Sequence, residues 1–272
     1  MNNTTQHDAF SRQSFLGPSS QAYIERCVIG VAGLGGGGSH ITQQLAHLGF
    51  LKYVLFDQDV IEDSNLNRLI GGTQLDVEEK RPKVDIAKRT ILGVRPNADV
   101  LAVQDVWQNR PEALKGCDIV FGCVDGFDQR RQLEATTRRY LIPLIDIGMD
   151  VHMPDEGAPA MAGQVILSMP GCTCMACMGF LNAQNLKREA EAYGDAGPRP
   201  QVVWPNGILA SVAVGLAVDL ITNWSATLSG PIYHSFRGGA ATIAPDPTLR
   251  FAPDVCLHFP LEDSGDPRFR RL

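Results

Sequence analysis

The chain of 272 residues has no surplus of positive charge: 24 Lys and Arg stand against 30 Asp and Glu, a formal net charge of −6. No basic field draws it to nucleic acid or to an anionic membrane, and neither is expected as a partner. Its first residues lack the charged-then-apolar pattern of a secretory signal. Seven cysteines, an odd number, fit a reducing cytoplasm better than a disulfide framework. No internal repeat is apparent. The longest apolar run, Ile208 to Ile221, falls short of the ~20 continuous residues that a bilayer requires, and Asp219 and Asn223 interrupt it. Small residues within it (Gly207, Ala210, Ser211, Ala213 and Gly215) suit a buried helix packed on a sheet. What remains is an ordinary soluble composition, 44% hydrophobic and 20% charged. Such a length can bury about three quarters of the unfolded surface, in one large domain.

The chemistry concentrates between Cys27 and Arg68. Cys27 to Ala32 reads as a buried strand, and Gly33-Leu34-Gly35-Gly36-Gly37-Gly38 follows at once, giving G-x-G-x-x-G. Ile41, Leu45 and Leu48 then recur at helical spacing, and Gly49 suits the helix end. The glycines let backbone approach a phosphate at a helix N-terminus, where unpaired N–H groups and the dipole favour an anion. Tyr53 to Phe56 reads as a second strand. Asp57 lies 19 residues after Gly38, where a dinucleotide-type fold places the acid that holds a ribose. A nicotinamide-dependent oxidoreductase would account for these features, but it leaves Asn65, Arg68 and Lys83 without a task. Two fixed cations beyond the ribose suggest a triphosphate.

Gly33 to Gly38, the D-x-D of Asp57 and Asp59, Ser64 to Arg68, Pro82-Lys83 and Cys123-Val124-Asp125 stand in an order and spacing that resembles the E1-like superfamily of ubiquitin-activating, MoeB, ThiF and HesA proteins. The resemblance spans about residues 10 to 225. It implies ATP-dependent adenylation of the C-terminal carboxylate of a ubiquitin-like or sulfur-carrier-like protein, with release of pyrophosphate. By that resemblance Gly33, Gly35, Gly36 and Gly38 line the nucleotide, with Asp59 beside them. Asp57 holds the ribose, Asn65, Arg68 and Lys83 serve the phosphates, and Asp125 serves Mg²⁺. Where the family usually has Asp-Asn, this chain has Asp125-Gly126 and keeps the acid while losing the amide; Arg130 retains the spacing of the downstream arginine. The loop before Lys83 departs slightly from the MoeB length, which makes Arg81 a substitute candidate. Arg12-Gln13 matches a pair whose arginine, in MoeB-like dimers, reaches the ATP of the other subunit, and this is the sequence hint of a homodimer. An E2-like or JAB-type protein is a further expected partner. A non-catalytic member that binds nucleotide or a partner is the other class left open.

Further strands are expected at Ala98 to Val103, Asp118 to Val124, Pro143 to Met149 and Gln164 to Met169. A helical pattern of Val84, Ala87 and Ile91 within Asp76 to Leu92 places Lys83 near a helix start. The structural alternative for Asp125 is the cap of the following helix. Asp146, inside an apolar strand, is either a paired core carboxylate or a pocket residue. Cys174-x-x-Cys177 has metal-ligand spacing, and family members hold structural zinc with two such pairs. The second pair is missing; Cys256 and either Cys172 or His258 would complete a site, with reduced structural thiols or a catalytic thiol as alternatives. The segment that crosses the active site in the family corresponds to Leu181 to Pro205 and contains no cysteine, against a thioester nucleophile there. The expected fold is α/β, a Rossmann-like, mostly parallel sheet flanked by helices and extended by C-terminal strands. Residues 1–25 form an arm with a disordered start at 1–9, 26–225 the adenylation domain, and 226–272 its strand-rich extension.

Overall fold

A computed structural model describes residues 9–152, 158–186, 200–260 and Gly265. Residues 1–8, most of the stretch expected to be disordered, and 187–199, half of the expected crossing segment, lie outside the described residues.

Five strands form the parallel part of one sheet: β1 Val28–Ala32, β2 Lys52–Phe56, β3 Asp99–Val103, β4 Ile119–Gly122 and the start of β5 Leu144–His152. Three antiparallel strands extend it, β6 Ala160–Ser168, β7 Ile232–Arg237 and β8 Thr242–Pro245, in the order β3-β2-β1-β4-β5-β6-β7-β8. The helices are α1 Ser20–Arg26, α2 Gly36–Leu48, α3 Gln74–Glu78, α4 Lys83–Val94, α5 Phe127–Arg139 and α6 Val203–Thr222. This is the expected Rossmann-like architecture with added C-terminal strands.

Alternation along the strands explains the layers, because successive side chains leave a strand on opposite faces. Ile29, Val31, Tyr53, Leu55, Phe121, Ile145 and Val165 pack on one face against Ile41 and Leu45 of α2, Ile91 of α4 and Leu209, Ala213 and Ala217 of α6. Val54, Phe56, Val120, Leu144 and Ile166 pack on the other with Trp107, Leu114, Leu133 and Met175. Each such side chain contributes about 1.5–3 kcal/mol on burial, so Leu45→Ala, at a position with no exposure, should cost about 2–5 kcal/mol.

Three boundaries differ from the sequence reading. The pattern from Asp76 to Leu92 is two helices, because Lys80 takes φ 52° and Pro82, without an N–H, caps the second; Lys83 is then the first residue of α4. The apolar run begins earlier than expected, at Val203, making α6 20 residues long. By length and composition α6 could cross a membrane. In this fold it lies against α2, β5 and β6, and its Asp219 bonds the backbone N–H and hydroxyl of Ser225 just past the helix end. The third is the β5–β6 pair: β5 runs on to His152 instead of ending near Met149, and β6 starts at Ala160 instead of Gln164.

Candidate functional site

Chain order reverses between β1 and β4: β2 and β3 lie to one side of β1, and β4 onward to the other. Open α/β sheets bind ligands at the carboxyl ends of strands at such a switch point. Here the glycine turn leaves β1 while the Asp125 loop leaves β4, and the two touch. Gly33, at φ 91°, comes so close to β4 that a Cβ would lie 2.5 Å from the carbonyl oxygen of Cys123. Gly38 is equally constrained, since its Cβ would lie 2.0 Å from the carbonyl oxygen of Gly33. Gly35, which caps α2, has nothing within 4 Å of a Cβ and faces open space. The turn is therefore packed on its inner side and open where backbone N–H groups at the start of α2 can meet an anion.

Asp57 holds this turn from β2. Its carboxylate accepts the N–H of Leu34 at 2.7 Å and that of Asp59 at 2.9 Å. Burial raises its pKa, opposed by the Lys83 charge and the two N–H donors. Each oxygen retains lone-pair capacity for a further donor such as a ribose hydroxyl. Asp59 pairs with Lys83 (Nζ to Oδ2, 2.8 Å), and the Lys83 N–H donates to the Asp59 carbonyl at 3.0 Å. Arg81, the substitute candidate, instead pairs with Asp76 and Glu79.

The Asn65–Arg68 turn joins the same place through Ser39 of α2, whose Oγ accepts the Ile70 N–H at 3.0 Å. Asn65 is buried and works locally, its Oδ1 accepting the Glu62 N–H at 3.3 Å. Arg68 donates from Nη1 to the Ser64 carbonyl at 2.7 Å and to Asn67 at 2.9 Å. Its Nε and Nη2 have no partner among the described residues. Asp125 is exposed at the mouth of the crevice, and the helix-cap position of α5 is taken by Gly126.

Two residues that sequence reading missed complete the crevice. Asn206, 5% exposed, lies against the turn: a Cβ on Gly36 would meet its Nδ2 at 2.5 Å, and that nitrogen donates to the Val202 carbonyl at 2.9 Å. Asn67 donates to the Gln201 carbonyl at 2.9 Å, tying the end of the crossing segment to the Arg68 turn. The available signal was a lone amide inside an apolar helix, which needs a reason to be buried.

Asp146 proves to be a paired core carboxylate. Fully buried, it is joined to Arg130 of α5, which also donates to the Ile147 carbonyl at 3.0 Å. Burial pushes its pKa up to about 6, against the pull of the guanidinium. About two helical turns further on, buried Arg138 donates to Ser168 and to the carbonyls of Cys172 and Thr173, while Ser168 and the Met175 N–H donate to Glu134. This network fixes the cysteine loop on α5.

That loop meets the C-terminal segment. Cys174 Sγ lies 3.6 Å from Cys177 Sγ and 3.5 Å from His258 Nδ1; Cys177 Sγ lies 3.8 Å from Cys256 Sγ and 3.3 Å from His258 Nδ1. All four ligand atoms fall within 4.8 Å of one another. A tetrahedron with Zn–S of about 2.3 Å and Zn–N of about 2.0 Å has edges of roughly 3.4–3.8 Å, so the donor set fits zinc. Burial alone would raise the Cys256 thiol, but N–H groups of His258 and Phe259, together with the Cys174 and Cys177 thiols, lower its pKa, while burial raises that of Cys174. Of the two candidates for the fourth ligand, His258 is in place; Cys172 is not in the group, its carbonyl being held by Arg138.

The ThiF family model matches residues 10–243. The SAMP-activating enzyme E1 of Haloferax volcanii is 33% identical over 146 residues, covering 52% of this chain and 53% of that protein. Ubiquitin-like modifier-activating enzyme 5 of Xenopus laevis is 23% identical over 270 residues, covering 90% of this chain and 64% of its own. The chain thus spans between about half and two thirds of these relatives. Among solved structures, E. coli MccB with AMPCPP and MccA superposes with a TM-score of 0.71 at 20% identity, covering 90% of this chain and 72% of that one. PaaA gives 0.66 at 19%, covering 84% and 74%. At these identities the two structures support the fold.

Proposed function

Because this chain belongs to the ThiF family, we propose that it is an ATP-dependent adenylyltransferase acting on the C-terminal carboxylate of a ubiquitin-like or sulfur-carrier-like protein. The observation that carries the reading is the meeting of the glycine turn with the Asp125 loop at the switch point, with Lys83 and Arg68 beside it. Attack of a carboxylate on the α-phosphate needs two anions held in line and the charge growing on the phosphates neutralised, and no side-chain nucleophile. The turn and the start of α2 would receive phosphate oxygens, Asp57 the ribose, and Lys83 and Arg68 the departing pyrophosphate. Asp125 would hold Mg²⁺, which supplies charge neutralisation when bound. Substrate-dependent exchange of pyrophosphate into ATP tests the reaction. Binding of NAD in preference to ATP would sink it.

Two finer readings accompany it. Zinc is proposed in the Cys174, Cys177, Cys256 and His258 centre, where it would pin the C-terminal segment to the α5 network. Elemental analysis should find one zinc per chain, and chelation should lower the melting temperature; metal-free protein with an unchanged melting temperature argues for reduced thiols. The second is a homodimer in which Arg12 acts in trans. Gln13 docks the arm on α2 (Nε2 to the Leu48 carbonyl, 3.0 Å), whereas exposed Arg12 has no side-chain partner among the described residues. Mixing Arg12→Ala with Asp125→Ala dimers should restore one intact site per mixed dimer. No recovery despite subunit exchange places Arg12 in cis or outside the site. The proposed setting is the cytoplasm, with an E2-like or JAB-type protein as a later partner.

A further inference from the structure

A guanidinium can meet a phosphate end-on, through its two terminal nitrogens, or side-on, through Nε and Nη2. At Arg68 the end-on edge is already taken. Nη1 donates to the Ser64 carbonyl at 2.7 Å and to Asn67 Oδ1 at 2.9 Å, which uses both of its protons. The side-on edge, Nε with Nη2, has no partner among the described residues. Two N–H groups side by side in one plane match two oxygens of one phosphate.

Of the two groups that hold Nη1, the Ser64 carbonyl belongs to the same loop, whereas Asn67 is tied to a distant one. Its Nδ2 donates to the Gln201 carbonyl at 2.9 Å, across 134 residues of chain. An amide donates only from nitrogen and accepts only at oxygen. Because Gln201 takes the nitrogen, the oxygen must turn to Arg68; a flipped amide would set acceptor against acceptor at Gln201 and donor against donor at the guanidinium. Asn67 is exposed, so these two hydrogen bonds rather than packing set its orientation. Resting on the adenylation reading, we infer that Asn67 is a positioning residue for that reaction. It acts through Arg68, holding the guanidinium so that the Nε–Nη2 edge makes a two-point contact with the phosphates that leave as pyrophosphate. An arginine without this anchor has to be ordered when the nucleotide binds, and that ordering subtracts from affinity.

The test is a double-mutant cycle read by titration calorimetry with a non-hydrolysable ATP analogue, AMP and NAD. Asn67→Ala should weaken the ATP analogue about fivefold or more in the wild-type chain and less than about twofold in Arg68→Ala, because an anchor without its arginine has nothing to hold. AMP, which lacks the phosphates that reach Arg68, should weaken less than about twofold in either background. Asn67→Leu, of similar size and without either hydrogen bond, should repeat these results, and unfolding midpoints should stay unchanged in both variants. Arg68→Lys should lose nearly as much ATP-analogue affinity as Arg68→Ala, since a lysine offers a point charge without the fork. Equal losses in both backgrounds, or equal weakening of the ATP analogue and AMP, overturn the positioning role; with ATP still preferred over NAD, the adenylation reading stands. Preference for NAD overturns the adenylation reading, and an Asn67 effect that still vanishes without Arg68 leaves the anchor in place.

Discussion

Charged residues beneath α5 and charged residues at the glycine turn differ in how much of their bonding capacity the fold has already used. Arg130 with Asp146, and Arg138 with Glu134 and Ser168, are buried and densely bonded within the protein. At the turn, Arg68 spends one nitrogen on its own loop, and Lys83 meets an aspartate whose side chain is 54% exposed. Removing a buried, paired charge strands its partner at high cost, so the α5 set serves the architecture. A cation with unused donors beside an open phosphate turn has its bonding capacity left for a ligand.

The sharpest test of that contrast is Arg130→Ala, which should cost about 3–5 kcal/mol by leaving Asp146 buried and unpaired. Denaturant midpoints should show Arg130→Met with Asp146→Leu to be much closer to wild type; a loss below about 1 kcal/mol in the single variant would erase the distinction. Next, Arg68→Ala and Lys83→Ala should each slow pyrophosphate exchange about 100-fold or more, roughly 2.7 kcal/mol of transition-state stabilisation, with little change in the unfolding midpoint. Near wild-type rates at saturating ATP would remove both from the site.

Within the turn itself the contrast can be drawn between two glycines. Gly38→Ala, which drives a Cβ into the Gly33 carbonyl, should cost about 1–3 kcal/mol. Gly35→Ala, whose Cβ meets nothing, should stay within about 0.5 kcal/mol in stability while weakening nucleotide affinity measured by calorimetry. The smallest effect belongs to Asp76, which hydrogen bonds from Arg89 hold well below the usual carboxylate range. A depressed folded pKa adds stability that is complete above the unfolded value, about 3.9, and is lost as pH falls through the folded one. Asp76→Asn should therefore be less stable than wild type at pH 7 by about 1 kcal/mol, a figure kept low because the Arg89 side chain is 45% exposed. Urea melts should show that gap closing toward about pH 2; a gap independent of pH would assign it to something other than ionisation.

Much of the nucleotide side was legible in the chain. Strand, glycine turn and helix follow one another within 22 residues, from Val28 to Gly49, and local spacing carries that information. Lys83 at a helix start was equally local. Less visible were groups set by packing between distant segments. Arg81 and Lys83 are two residues apart, yet one pairs with Asp76 and the other with Asp59, a division that spacing alone does not reveal. Asn206 joins the turn across some 170 residues of chain, which no spacing rule reaches.

By itself, then, the sequence determined the β–turn–α unit, the acid at the end of β2 and the cysteine pair 174 and 177, because each depends on neighbours within one or two turns or strands of chain. Tertiary structure alone decided that Asp146 is a core partner of Arg130, that His258 rather than Cys172 completes the cysteine centre, and that β5 outruns β4. The physical reason is common to all three: sheet register and the docking of α5 and the C-terminal segment bring together groups whose separation along the chain carries no information about their separation in space.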